Sequence, residues 1–261
     1  MPRNDELQQE VKQLRQQNAE LQQQILHSQK MVAVGQLASS ITHEFNNILT
    51  TVINYGKMGL RHKDAATREK AFNRILSAGQ RAAKITNGML AYARQKGDRR
   101  EEMDLALAVN DVLILVEKDL QMHRVRLQTD ILGNPVCEVN VSHLQQVVMN
   151  LIVNARQAMD DGGRLFLTVR LSEDGTMGEI SLRDTGPGIP ADRLPKIFEA
   201  FYTTKDADER GQGGTGLGLA FCRDVIEAHH GRMRVESVVG QGTTFTLRLP
   251  LAAASSERKS A

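Results

Sequence analysis

Residues 178–190 read Gly-Glu-Ile-Ser-Leu-Arg-Asp-Thr-Gly-Pro-Gly-Ile-Pro, a strand-like run that ends at Asp184 and continues directly into glycine and proline. An alternating run at 165–171 precedes it across the turn residues Asp174-Gly175, and this spacing predicts a β-hairpin. Glycines directly after a strand allow another molecule to approach the backbone closely. Asp184 is therefore a candidate to accept a hydrogen bond from an exocyclic amine, with an Asp-capped turn as the alternative.

The segment before this hairpin predicts a helix with two amides on one face. Residues 142–159 are strongly apolar, and Ser142 stands where an N-cap belongs. Asn150 and Asn154 are one helical turn apart, so they share a face. Amide oxygens suit Mg²⁺, so the pair is a candidate cation site, and capping of a neighbouring loop is the alternative.

A second glycine cluster lies further along the chain, at residues 213–220, where a helix is predicted to begin. The exposed N–H groups and the dipole of a helix start favour an anion such as phosphate, and a flexible hinge is the alternative. The cluster matches neither the P-loop pattern nor a strand-linked GxGxxG. A last hairpin, 232–238 with 243–249, completes a C-terminal half of α+β type, with a mixed sheet and helices on one face.

The N-terminal half is predicted to be helical. Apolar stripes at 34–55 and 72–92, separated by a polar turn at 61–67, predict an antiparallel hairpin. Because one hairpin leaves apolar surface uncovered, we expect two copies to pair into a four-helix bundle. Residues 1–30 repeat apolar residues every seven positions around Asn18, which predicts a two-stranded coiled coil, with a lone amphipathic helix as the alternative.

One histidine of the predicted bundle faces outward. Ile41 and Phe45 lie on the apolar seam, so His43 projects from the opposite side of the helix. Glu44 adjoins it, and Asn47 lies one turn further on the same face as His43. An exposed imidazole beside a carboxylate can act as a nucleophile, and an ordinary surface histidine is the alternative.

Composition excludes several classes of protein. The chain has 261 residues and a formal net charge of +2, which argues against a polybasic nucleic-acid binder and suggests about two domains. No apolar run is long enough to span a membrane. Cys137 and Cys222 lie far apart, which predicts neither a disulfide framework nor a zinc site. We therefore expect a cytoplasmic chain without a membrane span.

Taken together and in this order, five segments resemble the motifs of a two-component sensor histidine kinase. They are the H box at 40–47, the N box at 150–154, the G1 box at 184–190, the F box at 197–205 and the G2 box at 214–219. The resemblance implies an all-α hairpin, forming a dimeric four-helix bundle with an N-terminal coiled coil, followed by an α+β sandwich ATP-binding domain. The expected boundaries are a coiled coil at 1–30, a dimerisation and phosphotransfer domain at 31–97, a linker at 98–103, a catalytic domain at 104–250 and a flexible tail at 251–261.

The resemblance also implies roles for the hairpin residues. His43 would take the γ-phosphoryl group of ATP, with Glu44 as its acid–base partner. Asn47 matches the position that orients water when the partner regulator is dephosphorylated. The phosphoryl group would pass to an aspartate in a response regulator receiver domain, and the kinase would act as a homodimer.

For the ATP-binding domain, the resemblance implies that Asn154 coordinates Mg²⁺ with Asn150 alongside. Asp184 would bind the adenine amine, assisted by a hydroxyl from Thr243 or Thr244. The other implied nucleotide contacts are Gly186 and Gly188 at the pocket, Lys205 from a mobile lid, and the phosphate-binding residues Gly214, Thr215, Gly216, Leu217 and Gly218.

Two other functions are compatible with parts of the pattern. The first is an ATPase of the gyrase- and Hsp90-related superfamily, and the second is a dimeric scaffold without activity. Such ATPases use a Glu about one turn before the Mg²⁺-binding Asn, a position that Asn150 holds here. The sequence therefore favours the kinase.

Overall fold

The computed structural model describes residues 2–93, 99–203 and 216–252. Its helices and strands are α1 (Pro2–Arg61), α2 (Ala65–Ala93), β1 (Glu101–Asp104), α3 (Leu105–Met122), β2 (Val125–Leu132), β3 (Val136–Val139), α4 (Val141–Ala158), β4 (Gly163–Leu171), β5 (Met177–Asp184), α5 (Gly218–Ala228), β6 (Arg232–Val238) and β7 (Gly242–Pro250). Residues 1–36 form one compact unit, which is helical from Pro2, and residues 37–261 form the other. Within the described ranges, no helix is both long and apolar enough to cross a bilayer.

Helices α1 and α2 form the predicted hairpin, with a shorter connection than expected. Asp64 accepts the backbone N–H of Thr67 at 2.8 Å, so α2 begins at Ala65 and only residues 62–64 connect the helices. Hydrogen bonds from the Thr67 side chain and then from its backbone N–H lower the pKa of Asp64. A buried apolar cluster in the hairpin includes Ile48, Ala78 and Ile85.

Part of the predicted apolar stripe of α2 faces solvent. Phe72 is 58% exposed in the single chain, although its spacing assigned it to the inner seam. Leu49, Ile53 and Leu76 are also exposed. A helical hairpin that leaves large apolar side chains uncovered has the surface that pairing with a second copy requires.

The C-terminal half is the predicted mixed sheet with helices packed on one face. Its five strands lie in the order β2-β4-β5-β7-β6, with β2 and β4 parallel and the other pairs antiparallel. Inward-facing apolar residues of β4 and β5 are buried, as are most apolar residues of α4. The largest of these side chains are Leu144, Met149, Leu151, Ile152, Leu165, Leu167 and Ile180.

Two local predictions need correction. Glu101–Asp104, placed mostly in the linker, forms β1 and pairs with β3, because a strand of four residues is too short to show alternation. Helix α4 is capped by Asn140 rather than Ser142, since the Asn140 side chain accepts the N–H of His143 at 3.2 Å. Asparagine is as good an N-cap as serine, so the sequence alone did not separate the two.

Candidate functional site

Helix α1 presents His43 and Asn47 to solvent but turns Glu44 inward. His43 and Asn47 are both exposed, whereas Glu44 is only 8% exposed. The Glu44 carboxylate lies 3.3 Å from Arg81 Nη1 on α2 and 3.8 Å from Lys118 Nζ on α3. Consecutive helix residues point in different directions, so Glu44 faces α2 and α3 while His43 faces solvent. The predicted acid–base partner of His43 therefore forms ion pairs with two cations.

A cleft of about 640 Å³ surrounds Glu44, between the hairpin and α3. Its walls include Asn47 from α1, Arg74 from α2, and Ile114 and Lys118 from α3. Lys118 carries no motif signal, and sequence reasoning missed it. Only the packing of α3 against the hairpin brings it to Glu44.

Asp184 ends β5 inside the sheet domain, where it is almost fully buried. Its Oδ1 accepts the N–H groups of Gly186 at 2.8 Å and Thr243 at 3.2 Å. Burial raises the pKa of Asp184, and these two hydrogen bonds oppose the rise. Among the described residues, Oδ2 has no hydrogen-bond donor, so it is available to accept one from a ligand.

Strand register separates Thr243 from Thr244. Thr244 pairs with Arg183, on the sheet face opposite the helices, while Thr243 lies on the helix-covered face together with Asp184. The Thr243 hydroxyl lies 2.9 Å from that of Ser237, which also accepts the N–H of Ile189 at 2.7 Å. Ser237 thus ties β6 to the turn after Asp184, and only the alternation of β6 hinted at its inward position.

Two glycines hold the turn after Asp184 in place. At Gly188 the backbone has φ +72°, and a Cβ there would overlap the carbonyl oxygen of Val238. At Gly242 φ is +105°, and a Cβ would overlap the carbonyl oxygen of Asp184. Gly242 lies in the predicted connection between residues 232–238 and 243–249, and its lack of a side chain also lets β7 approach Asp184.

Helix α4 places Asn150 and Asn154 on the side toward α5. Both are half-buried, and a Cβ on Gly218, the first residue of α5, would lie 3.8 Å from Asn150 Nδ2. Asn154 makes no side-chain hydrogen bond with the described residues. Its free amide oxygen therefore fits one ligand position of Mg²⁺, which commonly completes its shell with water and phosphate.

The start of α5 has the features of an anion site. The residue before it, Leu217, supplies no side-chain cap, so its side chain does not satisfy the first N–H groups of the helix. Gly216 has φ +66°. Its carbonyl oxygen accepts the N–H of Phe201 at 3.0 Å, and this hydrogen bond links Phe201 to the residues just before α5. The predicted contacts Lys205, Gly214 and Thr215 lie outside the described residues.

Two family descriptions match the chain in the order of its two structural halves. Residues 33–97 match the His Kinase A (phospho-acceptor) domain, and residues 139–253 match the Histidine kinase-, DNA gyrase B-, and HSP90-like ATPase. The chain belongs to the two-component histidine kinases. The family predicted from the five motifs is therefore confirmed, as is the fold of a helical hairpin followed by an ATPase domain.

Relatives and solved structures agree with this family. The chain is 37% identical over 250 residues to Sensor kinase CckA of Brucella abortus, covering 88% of this kinase core and 25% of CckA. It is 33% identical to Sporulation kinase E of Bacillus subtilis, covering 92% of the core and 32% of that relative. Full-length ShkA in complex with AMPPNP is similar with a TM-score of 0.53 and 26% identity, over 84% of this chain and 46% of ShkA.

A fourth similarity concerns fold alone. Histidine kinase ThkA in complex with response regulator protein TrrA aligns with a TM-score of 0.50 and 23% identity, over 90% of this chain and 66% of ThkA. The chain spans only about a quarter to a third of the length of these two curated relatives.

Proposed function

We propose that this kinase core transfers the γ-phosphoryl group of ATP to His43 and then to an aspartate of a response regulator receiver domain. The observation that carries the proposal is the combination of an exposed histidine on the hairpin with a buried carboxylate, Asp184, that has a free oxygen in the ATPase domain. The first supplies a nucleophile, and the second supplies an acceptor for the adenine amine. Neither half performs the reaction alone.

The residues around Asp184 suit a bound nucleotide. Asp184 Oδ2 would accept the adenine amine, with Thr243 rather than Thr244 nearby because only Thr243 shares its face of the sheet. Gly186 and Gly188 shape the turn beside it. The start of α5, from Gly216 through Leu217 to Gly218, would donate N–H groups to the phosphates.

Asn154 would bind Mg²⁺ through its amide oxygen, and Asn150 would lie beside the phosphates. When bound, Mg²⁺ would neutralise charge on the phosphates and help to orient them. Lys205, Gly214 and Thr215 remain proposed contacts by their motif positions alone.

In the proposed transfer, a ring nitrogen of neutral His43 forms a bond to the γ-phosphorus while the bond from that phosphorus to the bridging oxygen breaks and ADP leaves. The imidazole proton passes to Glu44, as the family position of this residue implies. Because Glu44 is paired with Arg81 and Lys118, this proton transfer requires the two ion pairs to loosen. Transfer demands mainly placement and charge neutralisation.

Family membership also supports the remaining parts of the proposal. The core would act as a homodimer in the cytoplasm, where ATP is available, and would pair through the exposed apolar side chains of the hairpin. Asn47, exposed one turn from His43, would orient water for dephosphorylation of the regulator.

Incubation with γ-labelled ATP tests the function. We expect label that is stable in base and labile in acid, lost in His43→Ala and retained in His62→Ala, an exposed histidine at the other end of the hairpin. Free phosphate without labelled protein would support the ATPase function instead. If neither labelled protein nor free phosphate appeared, the result would support the scaffold.

A further inference from the structure

Asn150 is part of a chain of partly buried hydrogen bonds between α4 and α5. Gln146, one turn before it and 0% exposed, donates from Nε2 to Asn150 Oδ1 at 2.8 Å. Asn150 in turn donates from Nδ2 to Cys222 Sγ at 3.9 Å. The Cys222 thiol donates to the carbonyl oxygen of Val147 at 3.8 Å. All three hydrogen bonds therefore run in one direction.

The direction of this chain is fixed by its two ends. The Val147 carbonyl can only accept, so the thiol must donate to it and can only accept from Asn150. Cys222 keeps its proton, because burial raises its pKa to about 12 although the hydrogen bond from Asn150 opposes the rise. At the other end, the Asn150 oxygen is left to accept, and the Gln146 amide nitrogen donates to it over 2.8 Å, so both ends favour the same orientation of the Asn150 amide.

We infer that Gln146 is a positioning residue that sets the orientation of the Asn150 amide, so that Asn150 presents an N–H and not an oxygen toward the start of α5. The Asn150 oxygen is engaged by Gln146, whereas its nitrogen lies beside Gly218. An N–H at that place suits a phosphate oxygen. The amide oxygen of Asn154 then remains for the cation, which gives the two asparagines different tasks.

This inference rests on the proposed nucleotide-binding function. It differs from a purely structural role for Gln146 because it concerns which atom of Asn150 faces the ligand. A residue that only filled space could be replaced by leucine with a loss of stability but no specific loss of nucleotide affinity. The two roles therefore predict different results from the same variants.

The experiment titrates the full chain with ADP, with and without Mg²⁺, for wild type, Gln146→Leu and Gln146→Glu. We expect Gln146→Leu to weaken ADP binding roughly tenfold, because the Asn150 amide loses the hydrogen bond that sets its orientation. In Gln146→Glu, burial raises the pKa of the new carboxyl, so ADP affinity is measured across a range of pH. Above that pKa the carboxylate can only accept, so the Asn150 amide reverses and places its oxygen near the phosphates. Below it the protonated carboxyl can again donate, so ADP affinity should recover as the pH is lowered.

The matched control is Gln145→Leu, on the same helix. Gln145 is also buried and donates a hydrogen bond, but to Asp111 at 3.1 Å and not to Asn150. We expect this variant to lose stability without losing ADP affinity. Thermal unfolding of each variant shows that the ATPase domain is folded at the titration temperature, and Gln146→Glu, being isosteric, serves where Gln146→Leu does not fold.

Equal ADP affinity in wild type and in a folded Gln146 variant would overturn the inference while leaving the proposed function intact. An equal loss of ADP affinity in Gln145→Leu would also overturn it, as would a loss of ADP affinity in Gln146→Glu that does not recover at lower pH. Absence of ADP binding by wild type would instead overturn the proposed function, and the inference with it.

Discussion

At the scale of single residues, Asp184 offers the sharpest test of nucleotide recognition. Replacing it by asparagine keeps the size of the side chain and an oxygen for the N–H groups of Gly186 and Thr243. The substitution replaces Oδ2 by an NH₂ group, which is a donor. The proposed adenine amine is also a donor, so it would then have no acceptor at this position. We expect ATP affinity to fall by roughly tenfold to a hundredfold, because a polar group is left unpaired.

Titration with a fluorescent ATP analogue measures this effect. The matched control is Asp130→Asn on the exposed end of β2, which should bind ATP as wild type does. Unchanged affinity in Asp184→Asn would remove Asp184 from the nucleotide site.

A second residue, Glu179, controls stability rather than binding. It is 2% exposed and bonds Arg170 at 2.7 Å and Arg248 at 2.8 Å on the sheet face opposite the helices. Burial alone would raise the pKa of Glu179, but the two arginines outweigh it and hold the pKa below its usual value. The carboxylate therefore stabilises the fold above its unfolded-state pKa, and this contribution is lost as the pH falls through the lowered folded-state pKa.

We expect Glu179→Gln to destabilise the domain by about 1–2 kcal/mol at pH 7, allowing for partial solvent screening of the arginines. The difference from wild type should shrink once the pH drops below about 4. Urea unfolding at both pH values measures it. Glu236→Gln, whose carboxylate is 71% exposed and 3.8 Å from Arg234, should change little, and a pH-independent difference in Glu179→Gln would contradict the expectation.

At the scale of elements, the turn between β6 and β7 positions Asp184. Both Gly240 and Gly242 have positive φ, at +78° and +105°, so alanine strains the backbone at either site. A Cβ on Gly240 meets open space, whereas one on Gly242 overlaps the Asp184 carbonyl. We expect Gly240→Ala to cost about 1 kcal/mol in unfolding free energy and to leave ATP affinity intact, and Gly242→Ala to cost more and weaken ATP binding.

Chemical unfolding and nucleotide titration of the two variants separate backbone strain from displacement of Asp184. If both variants lost the same stability and the same affinity, the close approach of β7 to Asp184 would have no role.

The elements also show what the sequence could predict. The hairpin of β4 and β5, the helix carrying Asn150 and the final hairpin follow from periodicity and glycine positions, and they were found within a few residues. Strand β1 was not predicted, because a strand of four residues is too short to show an alternating pattern of apolar residues. Lys118 and Cys222 escaped prediction because their roles come from helix packing, which brings residues far apart in sequence together.

At the scale of the whole molecule, the two halves of the core meet at Glu44. The chain is near neutral as a whole, yet its charges are placed so that α3 contributes Lys118 to a carboxylate that the hairpin already pairs with Arg81. Such a contact links the ATPase domain to the hairpin and engages the proposed acid–base partner of His43. The proposed phosphoryl transfer to His43 needs both constraints to be released, because the nucleotide must approach the histidine.

Lys118→Gln should therefore raise the initial rate of His43 autophosphorylation. The Lys118 Nζ is 3.8 Å from Glu44 and partly exposed, so the pair is worth under about 1 kcal/mol and the increase should be a few-fold. Higher salt should raise the wild-type rate more than the rate of the variant, since the variant keeps only the Arg81–Glu44 pair for salt to screen. Lys63→Gln, which removes an exposed lysine from the hairpin connection, is the matched control. A rate equal to or below wild type in Lys118→Gln, with ATP affinity unchanged, would mean that this ion pair does not restrain the kinase.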